Sequence, residues 1–267
     1  MREIKKVRFF INNINRDSDL AKLLMNDLID NNFQLVNDNT YDLGIIFGGD
    51  GSFLKMLREE KFDYEKYYIG INTGKLGFLQ EINHNSTSEF LKNILRNNYQ
   101  IDELQFFDVI VEYQDNSKEE YHSLNEIVIR KDDLSVLSIK VMVDGQLLEN
   151  FVGDGLLIST QTGSTAYNLS LGGSIIYNTL KAYTITPIAS IRNCVYNPLI
   201  NPIILPSNKN TLLECSDDDL IMLIDGKSKK LENVSKIEIK MARDTIKCLR
   251  MNDYHFIKVV HNKIVKN

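Results

Sequence analysis

Along the first third of the chain, short apolar runs alternate with helical stripes. Val7 to Ile11 reads as a strand, and Asp17-Ser18 then opens a helix that carries Leu20, Leu23, Leu24 and Leu28 on one face. Phe33 to Val36 is a short second strand. Leu43 to Phe47 is apolar without a break, the pattern of a strand covered on both faces. Gly48 to Ser52 and an amphipathic segment from Phe53 to Arg58 follow directly, so strand, turn and helix succeed one another and predict a parallel sheet of βαβ units. Tyr68 to Ile71 ends in the same way, in a glycine-bearing loop from Asn72 to Phe78. Ser86-Thr87-Ser88 can cap a helix carrying Phe90, Leu91, Ile94 and Leu95.

Near residue 100 the rhythm changes. Phe107 to Tyr113, Ser123 to Arg130 and Leu137 to Val143 are strand-like, with turn pairs Asp115-Asn116 and Asp144-Gly145 between them. Leu156 to Ile158, Ile203 to Leu205, Leu220 to Ile224 and Ile237 to Ile239 continue this antiparallel pattern, with Asp225-Gly226 as a further turn. The expectation is an α/β N-terminal domain over residues 1–100 and an all-β domain over residues 101–250. The apolar segment Tyr254 to Val260, within residues 250–267, can pack back on the first.

Composition narrows the function classes. A hydrophobic share of 43% supports proper cores, and a net charge of −5 without a long Lys/Arg block argues against nucleic acid as a partner. An anionic substrate then has to be met by local donors or by a metal ion. No segment approaches the roughly 18 apolar residues of a membrane span, and Met1 to Lys6 lacks a signal-peptide core, so no membrane partner and a cytoplasmic location are expected. Cys194, Cys215 and Cys248 are far apart, which fits buried reduced thiols. His84, His122, His255 and His261 show no metal-ligand spacing, and no metal ligand is assigned.

Four groups carry candidate chemistry. In Gly48-Gly49-Asp50-Gly51-Ser52, glycines let the backbone approach phosphate oxygens, with an acid near a helix start. The same residues also fit a plain strand-to-helix turn in which Asp50 caps the helix. Asn125-Glu126 places a carboxamide and a carboxylate where they can grip ribose hydroxyls or an adenine edge; an ordinary edge strand with alternating polar positions is the alternative. Gly153-Asp154-Gly155 sets another acid between glycines. Ser159 to Gly173 is dense in hydroxyls, able to bind a polyol or phosphate, with Tyr167 as a ring for a base; a Ser/Thr-rich turn capping a helix over Ala166 to Leu171 is the other reading.

In their order and intervals, Gly48 to Ser52, Asn125-Glu126, Gly153 to Gly155 and Thr162 to Tyr167 resemble the NAD kinase family over roughly residues 40 to 230. The resemblance implies transfer of the ATP γ-phosphoryl group to the 2′-hydroxyl of the adenosine ribose of NAD, with Asp50 accepting the hydroxyl proton. It implies that Gly48, Gly49, Gly51 and Ser52 meet the ATP phosphates. It further implies that Asp50, Gly51, Asn125, Glu126, Asp154, Thr165, Ala166, Tyr167, Asn168, Ser170 and Ala189 bind NAD. Mg²⁺, or another divalent cation, is expected with ATP; Lys75 or Arg58 could assist, with a solvated surface charge as the alternative for each. The family's fold is an α/β domain followed by a β-sandwich-like domain, assembled as homodimers or homotetramers.

Three positions depart from the family pattern. Ser52 stands where threonine is commoner, Gln161 replaces a frequent proline, and Val152 replaces a basic or polar residue. Two other functions use parts of the same pattern: a lipid or sugar kinase sharing the glycine turn, and a non-catalytic NADP(H)-binding sensor. The first leaves Thr162 to Tyr167 without a purpose.

Overall fold

The computed structural model describes residues 4–11, 14–72, 77–83, 87–192, 197–215, 219–252 and 254–266, with only the backbone described at 14–18, 82–83 and 87–88. Lys75, His84 and Cys194 lie outside the described residues. The chain divides into two compact units. One comprises Met1–Leu104 with Thr245–Asn267, and the other Gln105–Asp244.

In the first unit the order is β1 (Lys6–Ile11), α1 (Ile14–Asp30), β2 (Gln34–Leu35), β3 (Leu43–Phe47), α2 (Asp50–Glu59), β4 (Tyr67–Asn72), β5 (Gln80–Asn83) and α3 (Thr87–Leu95). The strands pair in parallel in the order β2, β1, β3, β4. Every residue of β3 and β4 is buried, as continuous apolar runs require of central parallel strands. Helix α1 begins ahead of the expected cap at Asp17-Ser18, and β5 lacks an apolar run long enough to be read as a strand. Leu24 and Leu28 of α1, Ile45 and Phe47 of β3, Ile69 and Ile71 of β4 and Phe90 and Ile94 of α3 share one core.

Strand β6 (Tyr99–Tyr113) carries the chain into the second unit. There follow β7 (Lys118–Ser123), β8 (Glu126–Lys131), β9 (Leu137–Val143), β10 (Gln146–Gly153), β11 (Gly155–Thr160), α4 (Tyr167–Ser170), β12 (Ala182–Ile188), β13 (Ile203–Pro206), β14 (Thr211–Cys215), β15 (Leu220–Ile224), β16 (Lys227–Leu231) and β17 (Val234–Met251). One sheet runs β13, β12, β11, β8, β15, β16, with every pair antiparallel. The other strands, from β10 through β9 and β14 to β17, with β6 and β7, form a second layer. Ile127, Ile129, Ile158 and Met222 from the first, and Val109, Ile139, Leu213 and Ile237 from the second, belong to one buried cluster. Turn residues Asp144 (φ 47°) and Gly145 (φ 76°), like Asp225 (φ 46°) and Gly226 (φ 75°), take the paired positive φ that a two-residue hairpin turn needs.

Strand β17 returns to the first unit, where Lys247 and Cys248 pair in parallel with Tyr67 and Tyr68. A short helix α5 (Phe256–Val260) and a further helical turn over His261–Val265 end the chain within the same unit, with Phe256 buried. Cys248 is buried as expected, whereas Cys215 is only half-buried, because it stands at the end of β14.

Candidate active site

The glycine turn leaves the buried end of β3 and enters α2. Gly48 has φ +136°, and a side chain there would collide with Ser52, so the position demands glycine. At Gly49 and Gly51 an added Cβ would meet nothing within 4 Å, which leaves two stretches of bare backbone open to a ligand. Gly49 occupies the cap of α2 and no side chain caps the helix. Asp50 is therefore not the cap that the plain-turn reading assigns it. Its carboxylate turns away to accept the backbone N–H of Phe78 at 2.8 Å on Oδ2 and of Leu79 at 3.0 Å on Oδ1. Gly77 packs so closely against this carboxylate that any side chain there would strike it. The acid is thus held at a fixed place at the edge of the parallel sheet, beyond the carboxyl ends of the strands, where such sheets bind ligands. Arg58 lies at the far end of α2, about 12 Å of helix rise from Asp50.

In the β-rich unit the Asn125-Glu126 pair sits where the chain leaves β7 and enters β8, two strands of different sheets. Strand β8 lies between β11 and β15, so the edge-strand alternative fails. What holds this corner is Asp225, which sequence reasoning treated only as a turn residue. Its carboxylate accepts N–H groups from Leu124 at 3.0 Å, Asn125 at 2.7 Å and Glu126 at 3.3 Å, and the Ser123 hydroxyl at 2.8 Å. No local pattern announces this role, because its partners are distant in the chain; only the fold buries the acid, to 6% exposure, against them. Burial pushes the Asp225 carboxyl upward, against the pull of those donors. Burial likewise raises Glu126 to about 7, with the nearby Asp225 charge adding to it and the Tyr167 backbone opposing. Glu126 Oε2 is buried with no hydrogen-bond partner. A ligand hydroxyl would satisfy it.

Within the hydroxyl-rich run, three hydroxyls donate to main-chain carbonyls of the fold. Thr160 donates to the Leu124 carbonyl at 2.6 Å, Ser164 to the Gln161 carbonyl at 2.6 Å, and Thr165 to the Thr162 carbonyl at 3.2 Å. Those donors are spent on shaping the turn. Asn168 is fully buried and holds it from beneath: its amide nitrogen donates to the Ser164 and Ser174 carbonyls, and its oxygen accepts from Thr184 and Thr186. Ala166 and Tyr167 are half-buried and Ser170 is exposed. The Tyr167 hydroxyl accepts from Arg130 at 3.0 Å, which fixes its ring, an arrangement the sequence did not suggest. Asp154 is exposed, with its N–H given to the Ile188 carbonyl. Ala189, also exposed, has φ 48° at the end of β12. Asn125, Glu126, Asp154, Tyr167 and Ala189 thus all belong to the β-rich unit, and Gly48 to Ser52 to the α/β unit.

A family model described as the ATP-NAD kinase C-terminal domain matches residues 124–251. The NAD kinase of Finegoldia magna is 31% identical over 264 residues, covering 96% of each chain, and that of Staphylococcus carnosus is 34% identical over 233 residues, covering 85% of this chain and 86% of the relative. Among solved structures, yeast NADH kinase complexed with NADH superposes with a TM-score of 0.86 at 19% identity, over 99% of this chain and 88% of that one. An NAD kinase from Archaeoglobus fulgidus in complex with ATP gives 0.73 at 20% identity, over 97% and 98%. At such identities these two show a shared fold, while the bacterial relatives show descent over nearly the whole length. The chain belongs to the NAD kinase family.

Proposed function

We propose that this protein is an ATP-dependent NAD kinase that moves the γ-phosphoryl group of ATP to the 2′-hydroxyl of the adenosine ribose of NAD, yielding NADP. The observation that carries the reading is Asp50, a carboxylate held by two backbone amides beside the open backbone of Gly49 and Gly51. Phosphoryl transfer passes through a loose transition state, so catalysis is chiefly alignment and neutralisation of charge. Asp50 orients the attacking hydroxyl and takes its proton late, when the bond to phosphorus is well advanced. Bare amides of the glycine turn meet the phosphates. Mg²⁺ enters with ATP and neutralises phosphate charge; among the described residues no group of three metal-ligating side chains forms a site of its own.

NAD recognition falls to Asn125, Glu126, Asp154, Ala166, Tyr167, Ser170 and Ala189, with Thr165 and Asn168 shaping the turn that presents them. Glu126 takes a ribose hydroxyl on its unpartnered Oε2. Tyr167, pinned by Arg130, offers its ring face to a base. Membership in the family sets aside a lipid or sugar kinase. A β-sandwich-like second domain, a cytoplasmic location and assembly as a homodimer or homotetramer complete the reading on the resemblance. The test is to incubate the purified protein with NAD, ATP and Mg²⁺ and assay NADP. Formation of NADP is expected, and a protein that binds NAD yet makes none is a sensor instead.

A further inference from the structure

The helical end of the chain brings a cation to the candidate active site. Lys263 lies in the turn after α5, half-buried, with its ammonium 4.7 Å from the centroid of the Phe78 ring. The N–H of the same Phe78 holds Asp50 at 2.8 Å. One residue therefore carries the acid on its backbone and the cation on its ring, all within the α/β unit.

We infer that Lys263 is a phosphate-contacting residue of this site, supplying positive charge to the polyphosphate of the nucleoside triphosphate donor beside Asp50. The inference rests on the kinase reading above, and chemistry favours it on two further grounds. Gly48 to Ser52 provides amides and a hydroxyl but no positive charge, and the chain as a whole carries −5, so a triphosphate needs a cation placed locally. The charged groups facing Lys263 are Asp50, which favours its protonated form, and Arg250, which opposes it and is itself engaged by Glu81 at 3.3 Å and Asp102 at 3.2 Å. Burial, reinforced by Arg250, outweighs Asp50 and draws the ammonium down to about 8. A cation so desolvated gains more from an incoming phosphate than one in open water.

Lys263→Met and Lys263→Arg test this. The KM for ATP should rise about tenfold or more in the Met variant, with the KM for NAD unchanged, and stay near wild type in the Arg variant. Wild-type affinity for ATP should fall as pH passes about 8 and the ammonium loses its proton, while the Arg variant should not share that fall. Titration calorimetry with ATP and Mg²⁺, in the absence of NAD, reads the contact whether or not the wild type makes NADP. Loss of ATP binding in the Met variant of a protein that makes no NADP would uphold Lys263 and overturn the acceptor. Met and wild-type proteins of equal ATP affinity would overturn Lys263 itself, as would an equal loss in both variants or a drop in melting temperature that tracks the loss.

Discussion

The main-chain carbonyl of Asn125 lies against the Cα of Gly163, well inside the distance at which a Cβ could be accommodated. The same carbonyl accepts the Thr160 N–H at 2.9 Å, and the Thr160 hydroxyl donates to the Leu124 carbonyl at 2.6 Å, so the corner between β7 and β8 and the start of the hydroxyl-rich run are locked together. Gly163→Ala must push these segments apart. The expected cost is about 1–3 kcal/mol in urea denaturation, accompanied by weaker NAD binding because Asn125 and Glu126 shift with the corner. An alanine variant as stable as the parent would show that the corner yields freely.

Asp50→Asn retains one side-chain oxygen and the volume of the acid, but removes its capacity to take a proton and one of the two acceptors that hold the Phe78 and Leu79 N–H groups. Turnover should fall by roughly 10²–10⁴, with the dissociation constant for NAD nearly unchanged. A milder lesion comes from Gly77→Ala, whose methyl would strike the Asp50 carboxylate without entering the apolar core. Its kcat should drop while its melting temperature stays within a few degrees. Steady-state kinetics beside a thermal melt distinguishes displacement of the acid from loss of fold.

How far the sequence reaches is visible in particular residues. Leu43 to Phe47 announces a buried parallel strand because both of its faces are covered, and the glycines after it mark a turn that must come close to something. Asn125-Glu126 stands out because amide and acid interrupt apolar residues. The grip of Asp225 on the corner does not, since its partners lie about a hundred positions away in the chain. Nor do the hydroxyls of Thr160 and Ser164 reveal their direction, because a serine that faces a ligand and one that bonds a carbonyl are spelled alike. Lys263 is equally hidden. Only the folding back of the chain end onto the α/β unit brings it to Phe78.

The raised Glu126 carboxyl makes stability depend on pH in a stated direction. Its folded-state value of about 7 exceeds the ordinary 4.5, so the native state holds the proton more tightly than the unfolded chain. The contribution is complete below pH 4.5 and is lost as pH rises through about 7. Glu126→Gln cannot ionise and should be more stable than wild type at pH 8, by up to a few kcal/mol, with the advantage vanishing near pH 4.5. Asp225→Asn removes the neighbouring charge and should move the Glu126 transition to lower pH. Urea denaturation from pH 4.5 to 8.5 reads all three proteins. Parallel pH curves for wild type and Glu126→Gln would mean that this carboxyl does not titrate in that range.

Asn168 gives the sharpest separation of shaping from binding. Its side chain makes four hydrogen bonds, at 3.2 Å to the Ser164 carbonyl, 3.2 Å to the Ser174 carbonyl, 3.2 Å from Thr184 and 2.7 Å from Thr186, and none of its surface reaches solvent. Asn168→Ala would remove the donors to two carbonyls and the acceptor of two threonine hydroxyls that keep only each other at 3.4 Å, at a cost of about 2–3 kcal/mol. Asn168→Asp keeps the oxygen that serves the threonines but loses both donors and buries a charge, so it should be at least as costly. Both variants should lose NAD affinity in proportion to their loss of stability. Ser170→Ala, exposed on the same short helix, should leave stability alone and alter NAD binding only. If Asn168→Ala lost NAD binding while melting at the wild-type temperature, the residue would be a direct ligand rather than the pin of the turn.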